Sequence, residues 1–183
     1  MFERGFKAWC ERLSAQKRAE LGVKPSDPLD ARALANNLNI KVWSIEDVPG
    51  LSSESKNILL AKKGGWSAAT ICLGEKRLII LNSSHSSGRQ ASNLTHELSH
   101  LLLRHKPARL DVSEAGIMMM ESYDQQQEEE ADWLSGCLLL PRETLVHIKK
   151  QRLDQTIAAK QYGVSLSMLK YRMGVTGVSY QFK

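Results

Sequence analysis

The stretch His96-Glu97-Leu98-Ser99-His100 constrains the fold more than any other part of the chain. Two imidazoles four residues apart, with a carboxylate after the first, share a use only on a helix. There residues i and i+4 stack one turn apart on one face, so both rings can reach a single metal ion. The Glu beside the first His then stands next to the metal without ligating it, where a general base for a metal-activated water is needed. The flanking sequence must therefore form an amphipathic helix.

It can do so over Arg89 to Arg104. At about 100° per residue, with His96 set at roughly 0°, His100 falls near 40° and Glu97 near 100°. Leu94, Leu98, Leu101 and Leu102 lie between about 140° and 240°, with Ala91 among them. The helix thus has an apolar back to bury and a polar front carrying both His and the Glu. Ser86 or Ser87 can cap its start, and Lys106-Pro107 ends it, because a residue before Pro is pushed out of helical geometry.

A catalytic zinc takes three protein ligands and leaves a fourth position for water. His105 is excluded on geometry, since a continued helix puts it about 180° from His96. The longer motif H-E-x-x-H-x-x-G-x-x-H would also need Gly and His where the chain has Leu103 and Lys106. A second helix, Gln125 to Leu140, offers carboxylates instead and ends at Pro141. Its Glu128 and Asp132 are four apart and share a face, while Glu130 points elsewhere. That pattern suits one carboxylate as metal ligand and the next as acceptor for the free N–H of a ligating imidazole. Glu129 and Glu130 read as a solvated helix start, favoured by the macrodipole.

The segments 93–105 (Asn-Leu-Thr-His-Glu-Leu-Ser-His-Leu-Leu-Leu-Arg-His) and 128–141 (Glu-Glu-Glu-Ala-Asp-Trp-Leu-Ser-Gly-Cys-Leu-Leu-Leu-Pro) resemble the ImmA/IrrE family of bacterial and phage metallopeptidases. Trp66-Ser67-Ala68 with Leu78 to Asn82 resembles the strands before that family's metal helix, and Trp66 to Leu73 its exposed sheet edge. Tyr162 to Ser165 with Leu169 and Arg172 resembles its C-terminal helix-turn-helix-like element. The resemblance runs from about Leu29 to about Gly177. It implies an α+β fold: a zincin-like peptidase domain over 1–141, with a small mixed sheet packed on the H-E-x-x-H helix and a second ligand-bearing helix. A basic helix-turn-helix-like segment, 142–183, packs on it. It further implies one zinc ion per chain, held by His96, His100 and Glu128, with Glu97 as general base. Asp132, where many members carry Asn, takes the outer bond to a ligating His. The implied activity is endopeptidase cleavage or inactivation of a helix-turn-helix repressor in phage, mobile-element or stress regulation. The alternative is a zinc- or DNA-binding regulator that sequesters a repressor or toxin. His85, Arg89 and Tyr123 are candidates for oxyanion or substrate contacts.

Charge distribution bears on partners. Positions 142–183 hold eight basic and two acidic residues, a net of +6, which leaves −1 for the rest of a chain whose net charge is +5. Between Asp111 and Asp132 there are eight acidic residues and no Lys or Arg. An acidic loop beside the metal could attract a basic partner such as a DNA-binding repressor; the alternative is an ordinary solvated acidic loop. The tail, Leu153 to Gly174, has helix-turn-helix spacing, with Gly163 at the turn and Ser165 as cap. Its basic charge allows weak phosphate contact, and Ser167, Lys170 and Tyr171 could face bases; a structural or substrate-recognition role fits it better. No run of 18 apolar residues occurs, so no membrane span is expected. The N-terminus lacks a signal-like apolar segment, and Cys10, Cys72 and Cys137 are scattered like reduced cytoplasmic thiols.

The remaining elements follow from periodicity. Phe2 to Leu21 is expected as a helix, and Asp30 should cap another over Ala31 to Leu38. Ile40 to Trp43, Ile58 to Ala61, Ala68 to Leu73 and Arg77 to Leu81 are expected as strands, the last two joined by a tight turn. Met118 to Met120 could form an adaptable apolar patch.

Overall fold

The computed structural model describes residues 2–61, 66–73, 76–106, 110–112, 118–120 and 124–182. The architecture is mixed α+β. In chain order it runs α1 (Phe6–Glu20), α2 (Ala31–Asn37), β1 (Lys41–Ser44), α3 (Ser53–Ala61), β2 (Ala68–Leu73), β3 (Lys76–Leu81), α4 (Ser87–Leu103), β4 (Leu110–Val112) and β5 (Met118–Met120). Then come α5 (Gln125–Leu139), α6 (Arg142–Lys150), α7 (Gln155–Gln161), α8 (Leu166–Val175) and α9 (Val178–Gln181).

Three strands form one sheet in the order β1-β3-β2. β1 runs parallel to β3, with Val42 opposite Ile79, and β2 runs antiparallel to it, with Thr70 opposite Ile79. β2 is therefore an edge strand. β4 and β5 pair antiparallel as a separate two-stranded ribbon, which periodicity did not foresee.

Local chemistry sets the helix boundaries. Gly5, at φ +91°, breaks the backbone before Phe6, so α1 starts later than Phe2. The Asp30 carboxylate accepts from the Arg32 N–H at 2.8 Å and fixes the start of α2. Asp124 caps α5 by accepting from the N–H groups of Gln126 and Gln127. Ser165 caps α8 by accepting from the Met168 N–H.

One strand expectation fails. Ile58 to Ala61 belongs to helix α3, whose start is held by the Ser55 N–H donating to the Ser52 hydroxyl. A four-residue apolar run carries no period, and the Ser-Ser-Glu-Ser before it is a helix-start signal that outweighs it. Two helices, α6 and α9, were not anticipated.

The main core lies between α4, α5, β3, α1 and α2. Leu94 and Leu98 of α4 pack on Leu134, Cys137 and Leu138 of α5, with Ile79, Leu81, Leu34 and Cys10 around them. A second cluster joins the end of α5 to the C-terminal helices through Leu139, Leu140, Leu145, Ile148, Tyr162, Leu169 and Met173. Arg18 of α1, fully buried, donates to the carbonyls of Leu138 and Leu139, satisfying acceptors that the end of α5 leaves open.

Arg172 is not a surface cation of the tail. It is fully buried in α8, where its Nη2 meets Glu11 at 2.7 Å and its Nε donates to the Leu140 carbonyl. It holds the C-terminal helices to α1 and α5 and has no reach to a phosphate. Among the described residues, no helix is long and apolar enough to cross a membrane.

Candidate metal centre

The site is built where α4 lies against α5. The back of α4 is apolar except for Thr95 and Ser99, both buried. Ser99 donates back to the Thr95 carbonyl, and the Thr95 hydroxyl lies 2.8 Å from that of Ser135 on α5. That pair fixes the rotation of one helix against the other. Seven residues before Ser135, two helical turns, Glu128 then faces the imidazoles of α4.

His96 Nε2 and His100 Nε2 stand 3.0 Å apart, with rings edge to face. Glu128 reaches His96 Nε2 at 3.2 Å and His100 Nε2 at 3.5 Å. One ligand atom from each of the three residues lies within 4.8 Å of the others, a grouping that could hold a metal ion. Two imidazole nitrogens and one carboxylate oxygen form a donor set that suits zinc. The nitrogens that face away are also occupied. His96 Nδ1 is 2.9 Å from Asp132 Oδ1, and His100 Nδ1 is 2.9 Å from His105 Nδ1. The donor set therefore fits a metal, because each ring is held with its Nε2 turned inward.

Glu97 stands apart from the three. Its Oε2 accepts a hydrogen bond from the hydroxyl of Thr70 on β2. Its charge still acts on His96.

Electrostatics separate the two imidazoles. Burial lowers the His96 pKa, but Asp132, Glu128 and Glu97 outweigh it, and the net shift is upward. His100 is pushed down to about 4, first by burial and then by His96 and His105. One ring is thus biased toward charge and the other toward the neutral form.

The other expected positions fall as follows. Arg89 donates to the Ser67 hydroxyl at 3.3 Å. His85 faces the Asn93 side chain, its Nε2 is buried without a partner, and burial lowers its pKa. Neither makes a hydrogen bond or ion pair with the three clustered residues among the described contacts. Tyr123 lies outside the described residues, as do the side chains of Met118 to Met120 and most of the acidic 111–123 stretch. Tyr171 of α8 is close enough to Asp132 that burial and that carboxylate together raise its pKa.

Three residues escaped the sequence reading. Thr70 carries no motif, and only its place opposite α4 reveals its role. His105 was expected on the far side of the helix, but α4 ends at Leu103 and Arg104 takes a left-handed conformation at φ +56°. The chain doubles back, and the His105 ring packs on His100. Glu130 is not a free helix-start charge: it lies 3.3 Å from His105 Nε2 and accepts from Gln126. The Gln126–Glu130 spacing of four was the available hint.

The family model of the IrrE N-terminal-like domain (Peptidase_M78) matches residues 53–174, which take in α4, α5 and the edge strand. No curated protein matches the sequence. Among solved structures, a Mycobacterium tuberculosis transcriptional regulator is similar in fold, with a TM-score of 0.51 and 13% identity. The likeness covers 94% of this chain and 47% of that one, so this chain spans about half that protein's length.

Proposed function

The chain belongs to the family of IrrE N-terminal-like domains, and from that premise we propose that it is a zinc-dependent endopeptidase acting on a regulatory protein. The substrate class we assign is a helix-turn-helix repressor of a phage, a mobile element or a stress response, met in the cytoplasm. The observation that carries this reading is the convergence of His96, His100 and Glu128 with Glu97 beside them but outside the set. A zinc held only for structure has no need of that carboxylate.

His96, His100 and Glu128 would hold the ion, and Asp132 would keep the His96 ring in the tautomer that leaves Nε2 free. When bound, zinc would supply Lewis acidity, lowering the pKa of a water at the site toward about 7. Glu97, oriented by Thr70, takes a proton from the attacking water and delivers it to the leaving amine. The outer edge of β2, unpaired among the described residues, offers backbone groups with which an extended peptide can pair, laying it across the face of α4. We take 1–141 as the zincin-like catalytic part. We take 142–183 as a helix-turn-helix-like segment with a bracing or substrate-recognition role, in keeping with the burial of Arg172.

Glu97→Gln tests the proposal, since it keeps the side chain's shape and removes its basicity. Co-expressed with a repressor encoded beside it, the variant should fold, carry about one zinc per chain and leave the repressor uncut. The wild type should shorten the repressor on a gel. Full derepression of the target promoter by Glu97→Gln, with the repressor intact, would replace the peptidase reading with that of a sequestering binder.

A further inference from the structure

We infer that His105 is a positioning residue for the metal centre, holding His100 by its outer nitrogen and anchored in turn by Glu130. The inference rests on the zinc reading above. His100 turns Nε2 toward Glu128 and His96, so its proton belongs on Nδ1. That Nδ1 lies 2.9 Å from His105 Nδ1. A contact between two imidazole nitrogens works only if one donates and the other accepts. His100 therefore donates, and His105 is neutral with its proton on Nε2. That Nε2–H points at Glu130 Oε2, 3.3 Å away, and Glu130 is steadied by the Gln126 amide at 2.9 Å. Glu130 thus favours the His105 tautomer that the His100 Nδ1–H requires.

The backbone is shaped to make this contact. The His105 N–H donates to the His100 carbonyl and the Arg104 N–H to that of Leu101, the paired bonds that close a helix with a left-handed residue. Glycine ordinarily fills that position; here Arg104 does, at φ +56°. The strained turn brings the His105 ring back over the last turn of α4, where its side chain is only 8% exposed. His96 has its carboxylate directly, in Asp132, whereas His100 reaches one through a second imidazole. The two ligands are thus held by different devices, each ending on a carboxylate of α5.

The test compares zinc affinity, by competition with a chromophoric chelator, in wild type, His105→Phe and His105→Asn. Phe fills the space without an acceptor, and zinc binding should weaken by roughly 10–100-fold. Asn places an amide oxygen where Nδ1 sat and should recover most of that loss. In zinc-loaded wild type, long-range proton–nitrogen spectra should show His100 protonated on Nδ1 and His105 on Nε2. Wild-type affinity in the Phe variant, equal damage by Asn and Phe, or a proton on His105 Nδ1 would each overturn the inference while leaving the zinc site standing. Failure of the wild type to take up zinc would instead overturn the metal reading, and this inference with it.

Discussion

Gly136→Ala should destabilise the fold although it improves the helix. Gly136 lies inside α5, where Ala is the better helix former by about 1 kcal/mol. A Cβ at this position, however, would stand 2.5 Å from Arg172 Cδ and 3.3 Å from its Nε. Arg172 cannot swing aside cheaply, because it is fully buried and its Nη2 is paired with Glu11 at 2.7 Å. Breaking a buried ion pair costs about 3–5 kcal/mol. Since Glu11 is 30% exposed, the lower end of that range applies. Subtracting the gain in helix propensity leaves a net loss of about 2 kcal/mol. Urea unfolding of Gly136→Ala, Arg172→Ala and the double variant measures it. The three atoms nearest the new methyl all belong to Arg172, so in the Arg172→Ala background Gly136→Ala should be neutral or stabilising by up to about 1 kcal/mol. A single variant as stable as wild type, or the same loss in both backgrounds, would refute the argument.

Thr70→Val removes the hydroxyl that donates to Glu97 at nearly constant volume; peptide cleavage should fall roughly 10–100-fold through misplacement of the base, with zinc content unchanged. Metal-free protein should be most stable near pH 6.5. Burial and the two neighbouring rings lower His100 from 6.5 to about 4, and its ring is 22% exposed. Below pH 6.5 the unfolded chain therefore gains a proton that the fold resists, costing up to about 3 kcal/mol by pH 4. His96 shifts upward, so its contribution is complete below 6.5 and is lost as pH rises through its folded value. Urea titrations with chelator present check both limbs; stability that climbs between pH 6.5 and pH 4 would contradict the assignment.

Local signals were readable where one strong pattern governed a segment. The four-residue spacing and leucine back of α4 gave its position, and the Ala68–Leu73 strand was found with the bounds the structure shows. Glu128 and Asp132 could be placed on one face because helical periodicity alone decides that. Contacts set by backbone exceptions were not readable. No rule of spacing puts an arginine in a left-handed cap, so a helix extrapolated through Arg104 sends His105 to the wrong side. The burial of Arg172 was hidden likewise, since a basic residue in a basic tail looks like surface until Glu11, far away in sequence, is seen to meet it.

Two glycines explain how the C-terminal helices bear on the site. At Gly88, in the first turn of α4, an added Cβ would stand 2.9 Å from the Val164 carbonyl carbon, so the turn between α7 and α8 sits directly on the start of α4. At Gly136, one turn beyond Asp132, Arg172 of α8 crosses α5 equally closely. Side chains at either place would push the C-terminal helices off, and in both cases the neighbour is backbone or a pinned side chain. The same segment thus presses on both helices that carry the candidate ligands. The Thr95–Ser135 contact keys those helices to each other. A donor set spread over two helices keeps its geometry only if neither can rotate or slide. Packing at Gly88, Gly136 and Thr95 restrains both motions, which is why the C-terminal helices belong to the architecture of the site even though none of the three clustered residues comes from them.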